Sequence, residues 1–305
     1  MTIAAGFRVP LAAAGLAAVL VGPGCIDIVG ADLAKYVERE EKTFSTSGKA
    51  DVSLATFDGS IEVRPWDRTE VQVIIEKRAR DKAAADEIDI RTEQNGNHII
   101  VDVKSRKGGE HRGLDFGWNM SRSAKLIVSM PANADLIAKS GDGSIDVERI
   151  SGRVEMRSGD GSIRAHDVGG DVTAHSGDGS IRIDGVNGAL NVDTGDGSIV
   201  LAGKLSGVRA RSGDGSVTIR AEEGSTSAAD WDISTGDGSV TLELPDGFGA
   251  QLDAHTGDGS IHMRDITVSN VSGEIRRNTV RGQLGSGGRT VRVRTGDGSI
   301  TLKKF

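Results

Sequence analysis

The sequence predicts an all-β fold: a single-stranded β-solenoid (β-helix) of about ten coils with an 18-residue repeat, preceded by a small irregular region of strands and one helix. Three observations predict this fold. The tetrapeptide Gly-Asp-Gly-Ser occurs eight times, and the first four intervals between its copies are all 18 residues. Apolar residues stand one and three positions after every copy, as in a strand with one buried face. The 43 glycines and the 3% aromatic content suit a thin core with many corners.

The sequence of residues 1–24 predicts a signal peptide. Arg8 is their only charge, and the apolar run 9–21 is too short to span a bilayer but suits the core of an export signal. The single cysteine of the chain, Cys25, follows directly, where a bacterial lipoprotein signal places its acylated residue. We therefore expect Cys25 to be the lipidated mature N-terminus and residues 25–48 to form a polar, lipid-anchored tether or short helix. An ordinary cleaved signal is the alternative.

The expected location follows from this N-terminal pattern. A lipidated Cys25 would hold the exported protein to a membrane of the bacterial cell envelope, on its periplasmic or surface face. A lone cysteine in an exported chain cannot close an internal disulfide, which favours lipidation over an exposed thiol.

Residues 49–123 predict an N-terminal β region with one short helix and a polar loop. Strand-like alternation surrounds the stretch 57–60 (Phe-Asp-Gly-Ser), which resembles a degenerate copy of the repeat. Residues 79–87 are rich in Ala, Lys, Asp and Glu and predict the helix, and Asn95-Gly96 predicts a hairpin turn. Residues 105–123 predict the polar loop.

Residues 124–305 predict the solenoid itself, with two short strands and two corners in each 18-residue unit. An antiparallel meander, with each Asp-Gly as a hairpin turn, is the alternative. The constant interval favours stacked coils, because coils in register tolerate added length only as loops at corners. Residues 222–230 and 245–249 lengthen two intervals and predict such loops. Lys303 and Lys304 are expected to protect the open edge of the last coil.

Several segments together resemble one bacterial family. They are the export signal, the stretch 66–71 (Trp-Asp-Arg-Thr-Glu-Val), the stretch 130–135 (Met-Pro-Ala-Asn-Ala-Asp), the Gly-Asp-Gly-Ser-Ile coils and the closing stretch 291–300. Over residues 44–305 the chain is similar to the bacterial putative-adhesin β-strand-repeat family, a domain of unknown function in envelope proteins. The resemblance implies a β-helix at the cell envelope, and it brings no catalytic residues with it.

The corner aspartates form a ladder if the coils stack. The five on the regular intervals are Asp142, Asp160, Asp178, Asp196 and Asp214. Neighbouring carboxylates would then stand about 4.8 Å apart and repel each other by about 1 kcal/mol in water. One interpretation is that each is exposed and accepts a backbone N–H two residues on, in an Asx turn whose glycines adopt positive φ. The other is a row of calcium ions that bridges successive carboxylates; calcium is the one cofactor that the sequence suggests.

The segment 276–305 is strongly basic, with eight Lys and Arg residues against one acid, Asp297. Six arginines form a candidate polyanion-binding patch: Arg276, Arg277, Arg281, Arg289, Arg292 and Arg294. One interpretation is a solvated, charged edge that discourages aggregation. The other is a docking patch for an anionic polymer, such as an envelope glycan or a teichoic-type phosphate.

The sequence contains no motif of a known catalytic class. It lacks a Gly-x-Ser-x-Gly elbow, a phosphate-binding loop, a His-Glu-x-x-His pair and a cysteine cluster. The net charge of −7 gives no overall attraction to nucleic acid. His175 and His255 hold equivalent positions, but Arg211 and Ser234 occupy that position in coils between them, so we expect polar surface residues and not a metal pair.

These observations favour a non-enzymatic envelope lipoprotein that binds an envelope glycan or protein ligand through a repetitive surface. A structural or self-assembling scaffold is the alternative. A polysaccharide-acting β-helix enzyme is a third hypothesis, which the near-uniform coils disfavour.

Overall fold

The computed structural model describes residues 36–106, 122–272 and 276–304. The described residues form 23 strands and one helix of four residues, so the fold is all-β. The N-terminal elements are β1 (Tyr36–Ser45), β2 (Ala50–Thr56), β3 (Ile61–Trp66), β4 (Glu70–Ala79), α1 (Lys82–Ala85), β5 (Ile88–Asn95), β6 (His98–Ser105) and β7 (Ser123–Pro131). The central strands are β8 (Ala134–Ser140), β9 (Ile145–Glu148), β10 (Val154–Ser158), β11 (Ile163–His166), β12 (Val172–Ser176), β13 (Ile181–Thr194), β14 (Ile199–Ser212), β15 (Val217–Ala221), β16 (Trp231–Thr235) and β17 (Val240–Leu244). The C-terminal strands are β18 (Ala250–Thr256), β19 (Ile261–Arg264), β20 (Val268–Ser269), β21 (Thr279–Leu284), β22 (Thr290–Thr295) and β23 (Ile300–Lys304).

The repeats stack in parallel, in a solenoid-like arrangement. Ile163 of β11 lies opposite Ile145 of β9 on one side and Ile181 of β13 on the other. Strand β10, on the other side of the corner, pairs in the same way with β8 and β12. Equivalent residues of successive repeats therefore stand side by side, and the antiparallel meander is wrong for this part of the chain.

The pairings form two strips of strands. The order in the first strip is β5, β6, β2, β8, β10, β12, β13, β14, β16, β22, β18, β21 and β20. The order in the second strip is β1, β4, β7, β3, β9, β11, β13, β14, β15, β17, β23 and β19. Strands β13 and β14 have 14 residues each and belong to both strips, because each continues through the second corner of its coil.

The core is made of aliphatic ladders. One ladder consists of side chains that are at most 1% exposed: Ile145, Ile163, Ile181, Ile199, Val217, Val240 and Ile300. Each coil shares its apolar side chains with the coils on both sides, so burial, and with it stability, accumulates only in the array. Trp231 is an exception in size: it is 1% exposed, and its ring packs edge-on against Phe248 with 5.2 Å between the centroids.

Residues 36–45, which the sequence analysis places in a tether, form strand β1. β1 pairs antiparallel with β4 along its whole length, and Lys77 of β4 lies 3.4 Å from a carboxylate oxygen of Glu38 and 2.7 Å from one of Glu40. The tether prediction is wrong for these residues, because charged side chains on an edge strand lack the apolar period that reveals a strand. Residues 1–35, which include the predicted signal peptide and Cys25, lie outside the described residues.

The predicted helix over residues 79–87 is shorter in the structure. Ala79 ends strand β4, and only Lys82–Ala85 are helical. Asp81 begins the helix because its carboxylate accepts a hydrogen bond from the N–H of Ala84 at 2.8 Å. Most of the predicted polar loop, residues 107–121, lies outside the described residues.

The degenerate corner at residues 57–60 is part of the stack. Strands β2 and β3 on either side of it pair in parallel with β8 and β9. On their other edges β2 pairs with β6 and β3 with β7, again in parallel. The stack therefore includes residues well before 124, where the sequence analysis begins it.

The order of coils departs from the order of the chain near the C-terminal end. β22 pairs with both β16 and β18, and β23 pairs with both β17 and β19. We call residues 290–304 the inserted coil, because they lie between the coils formed by residues 231–244 and 250–264. Four inward side chains of the inserted coil are 0% exposed: Val291, Val293, Ile300 and Leu302.

This insertion overturns the prediction that Lys303 and Lys304 protect an open edge. Lys303 lies inside the second strip and contacts Glu243 at 2.9 Å, and Lys304 contacts Asp246 at 2.5 Å. The end position belongs to β19, where Ile261 and Met263 are only half-buried. The inserted coil, whose four inward side chains are fully buried, thus lies between two other coils, where its apolar side chains are covered on both sides.

Candidate ligand-binding surfaces

A buried hydroxyl group joins each Gly-Asp-Gly-Ser corner to its neighbour. The hydroxyl of Ser158 accepts a hydrogen bond from the N–H of Gly161 in its own corner at 3.1 Å and donates one to the carbonyl of Gly143 in the adjacent corner at 2.9 Å. The residue before each copy is always Ser or Thr, and all are buried: Ser140, Ser158, Ser176, Thr194, Ser212, Thr235, Thr256 and Thr295. The Ser or Thr before each copy can be read from the sequence, but a repeat defined as Gly-Asp-Gly-Ser does not include it.

The corner glycines are required by close approach and not by their conformational freedom. A Cβ atom on Gly161 would overlap the carbonyl of Gly143, and one on Gly143 would overlap that of Gly59. None of the glycines in the eight complete copies has a positive φ, whereas Gly59 in the degenerate corner does. The prediction that these glycines adopt positive φ is therefore wrong for the complete copies. A hydrogen bond from the N–H of the second glycine to the preceding Ser or Thr hydroxyl is present at Gly143, Gly161, Gly179, Gly215 and Gly259.

The corner aspartates point to solvent in every complete copy. We call the five predicted residues the Asp row; they are Asp142, Asp160, Asp178, Asp196 and Asp214, all exposed. They line one corner along the stack, because the first glycines of successive corners are joined by backbone hydrogen bonds. The described residues contain no group of three or more His, Cys, Asp or Glu side chains that could hold a metal ion. Calcium binding by the Asp row stays a prediction.

The carboxylate of Asp58, which lies beside the N-terminal end of this row, is affected by its neighbour Asp142. Asp58 of the degenerate corner is partly buried, and burial raises the pKa of its carboxyl group; the charge of Asp142 on the next coil raises it further. A hydrogen bond from the N–H of Gly59 opposes both effects. The charge of Asp142 is therefore close enough to disfavour the ionisation of Asp58.

Two histidines that the sequence analysis did not assign to a site contact aspartates one coil away. His166 bonds through Nδ1 to Asp184 and through Nε2 to Asp167, the latter at 3.0 Å. The hydrogen bond that His166 donates to Asp184 raises the pKa of His166, and the charges of Asp184, Asp167 and Glu148 add to the effect. His175 bonds to Asp193 at 3.0 Å. Both histidines are exposed, so they belong to the polar surface.

Three of the six predicted patch arginines converge on one acid. Arg281 Nε donates to Asp253 at 2.9 Å, Arg294 also donates to its carboxylate, and Arg292 lies 3.9 Å away. Burial raises the pKa of Asp253, but the hydrogen bonds from Arg294 and Arg281 outweigh burial and hold that pKa below its ordinary value. This cluster lies on the first strip, and its positive charge is partly neutralised.

The other three arginines are all exposed. Arg277 is next to β19, where its carbonyl accepts from Ile261 N–H at 2.8 Å, and its side chain donates to Ser260 at 2.8 Å. Arg276 is exposed beside it, and Arg289 is exposed before β22. Asp253 thus joins three of the six predicted arginines, and polyanion binding by the six stays a prediction.

The two predicted corner loops, residues 222–230 and 245–249, form a cleft at the second corner. The cleft has a volume of about 610 Å³ and is also lined by Ser286 and Gly287. Ser227 of the first loop donates to the carbonyl of Gly249 of the second at 2.6 Å. Phe248 lines the cleft but is 6% exposed, so polar and small groups provide most of its surface.

The fold and these surfaces define a class: an all-β, solenoid-like domain with regular polar corners. Among the described residues, no helix has the length and apolar character needed to cross a membrane. The chain belongs to the Toastrack DUF4097 family, a domain of unknown function, whose profile matches residues 50–303. This match confirms the resemblance read from the sequence.

Three solved structures are similar to the chain at low identity. A candidate cell adhesion protein from Clostridium sporogenes is 12% identical, with 88% of this chain and 100% of that chain covered and a TM-score of 0.25. A candidate adhesin from Bacteroides fragilis is 13% identical, with 87% and 96% covered and a TM-score of 0.44. A candidate lipid binding protein from Parabacteroides distasonis is 12% identical, with 87% and 96% covered and a TM-score of 0.33. A search of curated proteins finds no match to this chain.

Proposed function

We propose that the protein is a non-enzymatic binding protein of the bacterial cell envelope, exported and held to a membrane by a lipid on Cys25. Its rigid frame is a β-solenoid of about ten coils with an 18-residue repeat. Its ligand is an envelope glycan or protein that contacts the repetitive surface at several coils at once. Membership of a family of unknown function is compatible with this proposal and does not test it.

The observation that carries the proposal is the exposure of every carboxylate in the Asp row. The glycines and the buried Ser and Thr hydroxyls make the hydrogen bonds that hold each corner to the next. Those bonds use backbone and hydroxyl groups, so they do not account for a carboxylate on each successive coil. A ligand with repeated donor groups would use that row, because each added weak contact becomes intramolecular and raises the overall affinity.

A panel of purified envelope polysaccharides and host glycans tests this function with the lipid-free chain. We expect retention of at least one repetitive polymer, with no release of reducing or unsaturated ends. Release of such ends would replace the binding function by the enzyme hypothesis. Retention of none, together with self-association of the chain, would favour the scaffold.

The two ends of the stack argue against a scaffold built by end-to-end stacking. At one end β4 pairs antiparallel with both β1 and β7, and β5 pairs antiparallel with β6; at the other, β21 covers β18 in the antiparallel direction. β1 carries alternating charges on its edge. These antiparallel end strands do not offer the parallel register that a further coil needs. β19 ends the second strip in parallel register, but the N–H of Ile261 on β19 already donates to the carbonyl of Arg277.

Protease accessibility of an epitope-tagged chain tests the location. On intact cells we expect digestion if the solenoid faces outward, and the Cys25→Ala variant should be shed from the membrane. A Cys25→Ala variant that stays with the membrane fraction would contradict the lipid anchor.

A further inference from the structure

The inserted coil occupies a slot between two coils that follow each other directly in the chain. Val291 stands between Trp231 and Leu252, and Ile300 between Val240 and Ile261, all in parallel register. The slot thus presents unpaired edges of four strands, β16, β17, β18 and β19, whenever the inserted coil is absent.

The slot also supplies the corner contacts on both sides of the inserted coil. Thr295 donates to the carbonyl of Gly238 at 2.7 Å, and Thr256 donates to that of Gly298 at 2.7 Å. Together with the four fully buried aliphatic side chains, these bonds specify one register. They involve only the inserted coil and the walls of the slot, so any copy of residues 290–304 satisfies them equally.

The connection that leads into the inserted coil has the properties of a hinge. Residues 285–289 read Gly-Ser-Gly-Gly-Arg, and Gly285, Gly287 and Gly288 all have positive φ. The connection crosses the end of β18, since β21 and β22 pair with opposite edges of that strand. It takes a compact path here, whereas five extended residues reach about 17 Å. Three glycines allow both paths at little steric cost.

From these features we propose that the slot is a strand-acceptor site for residues 290–304 of a second copy of this chain. Opening of the hinge withdraws the inserted coil from its own slot, and reciprocal insertion gives an exchanged dimer whose strand pairings equal those of the monomer. The exchanged dimer gains no new interface energy at the slot. Its population is therefore set by mass action and rises with protein concentration. The dimer would carry two Asp rows, although the proposal does not depend on their function.

Site-directed cross-linking of the full chain tests this exchange. The background variant is Cys25→Ser, which removes the only natural thiol. Thr241 of β17 and Thr301 of β23 are register partners at the slot, and both side chains are half-buried on the outer face. One population carries Thr241→Cys and the other, with a different tag, carries Thr301→Cys. The two are mixed at high concentration, incubated in mild denaturant, returned to buffer and oxidised.

We expect a disulfide-linked heterodimer between the two tags at about tenfold the level of a control pair. The control is a mixture of Thr218→Cys and Thr241→Cys chains, which are register partners on β15 and β17 within consecutive coils. A disulfide between those two chains would require all the coils after β15 to be exchanged together, and not the inserted coil alone. A single chain with both Thr241→Cys and Thr301→Cys should cross-link within itself, which shows that the pair can form a disulfide.

One result would overturn the proposal: a heterodimer yield at the control level although the doubly substituted chain cross-links within itself.

Discussion

The Ser158 hydroxyl donates a hydrogen bond to the carbonyl oxygen of Gly143 at 2.9 Å and thereby joins two coils at their corners. The same relationship recurs between Ser176 and Gly161 and between Thr194 and Gly179, each at 2.9 Å. The corner therefore contains a continuous polar ladder inside the protein, beside the aliphatic ladders of the strands. It explains why a small hydroxyl residue precedes every complete copy of the repeat.

Loss of one internal hydroxyl should destabilise the stack. Ser176 is 0% exposed, and Ser176→Ala leaves the N–H of Gly179 and the carbonyl of Gly161 without this partner. We expect the free energy of unfolding to fall by about 1–3 kcal/mol, measured by urea denaturation. Ser180→Ala, in the same corner but exposed, is the control and should change it by less than about 0.5 kcal/mol. Equal effects of the two variants would show that the hydroxyl ladder does not stabilise the fold.

Addition of one methyl group to a corner glycine should be more damaging. In Gly161→Ala the new Cβ atom would overlap the carbonyl of Gly143, so the coils must separate. We expect a loss of more than about 2 kcal/mol in the free energy of unfolding. Asp160→Ala, one residue away and exposed, should leave thermal stability nearly unchanged. A stable Gly161→Ala chain with an unchanged melting temperature would contradict the close stacking of corners.

The contact between His166 and Asp184 should make stability depend on pH. The pKa of His166 is raised in the folded protein, so its contribution is complete below the unfolded pKa and is lost as pH rises through the folded pKa. Asp184→Asn should lower the pKa of His166 in an NMR titration and should reduce stability more at pH 5 than at pH 8. Asp193→Asn, which removes the partner of His175, is the matched control. A His166 pKa that does not move in Asp184→Asn would refute this assignment.

Neutralisation of Asp253 should release the positive charge of its three arginines. Asp253→Asn removes the acceptor of Arg281 and Arg294, and the expected loss of stability is about 0.5–1 kcal/mol because the half-buried ion pairs are partly screened by solvent. On a heparin column the variant should elute at higher salt than the parent chain. Asp232→Asn, which removes the partner of Arg211 on the same strip, is the control. If both variants elute together, the arginines around Asp253 do not act as an anion-binding group.

The sequence predicts the stacked part of the fold well, for a physical reason. Stacked coils must place like residues at like positions, so Ile145, Ile163 and Ile181 appear at a fixed interval in the sequence and in register in the structure. The lengthened intervals predict loops at residues 222–230 and 245–249, and in the structure these residues form a cleft.

The remaining features could not be found from periodicity. β1 is an end strand rich in charged residues, so it has no apolar alternation that would reveal a strand. Its extended conformation is stabilised by pairing with β4. The insertion of residues 290–304 depends on which coil would expose fewer apolar side chains at the C-terminal end of the stack. That comparison involves two separate segments of the chain, and periodicity within one segment does not reveal it. Arg281, Arg292 and Arg294 meet only because β21 and β22 lie on opposite edges of β18, which carries Asp253.

The most direct test of the binding function compares two triple variants of equal charge change. One neutralises the Asp row at Asp160→Asn, Asp178→Asn and Asp196→Asn. The other neutralises exposed acids elsewhere, at Asp67→Asn, Glu93→Gln and Asp265→Asn. The measurement is the Kd of each for the polysaccharide that the parent chain retains best in the panel. The account predicts that the row variant binds at least about tenfold more weakly while the control variant binds like the parent chain. Equal affinity of the row variant and the control would contradict the assignment of ligand binding to the Asp row.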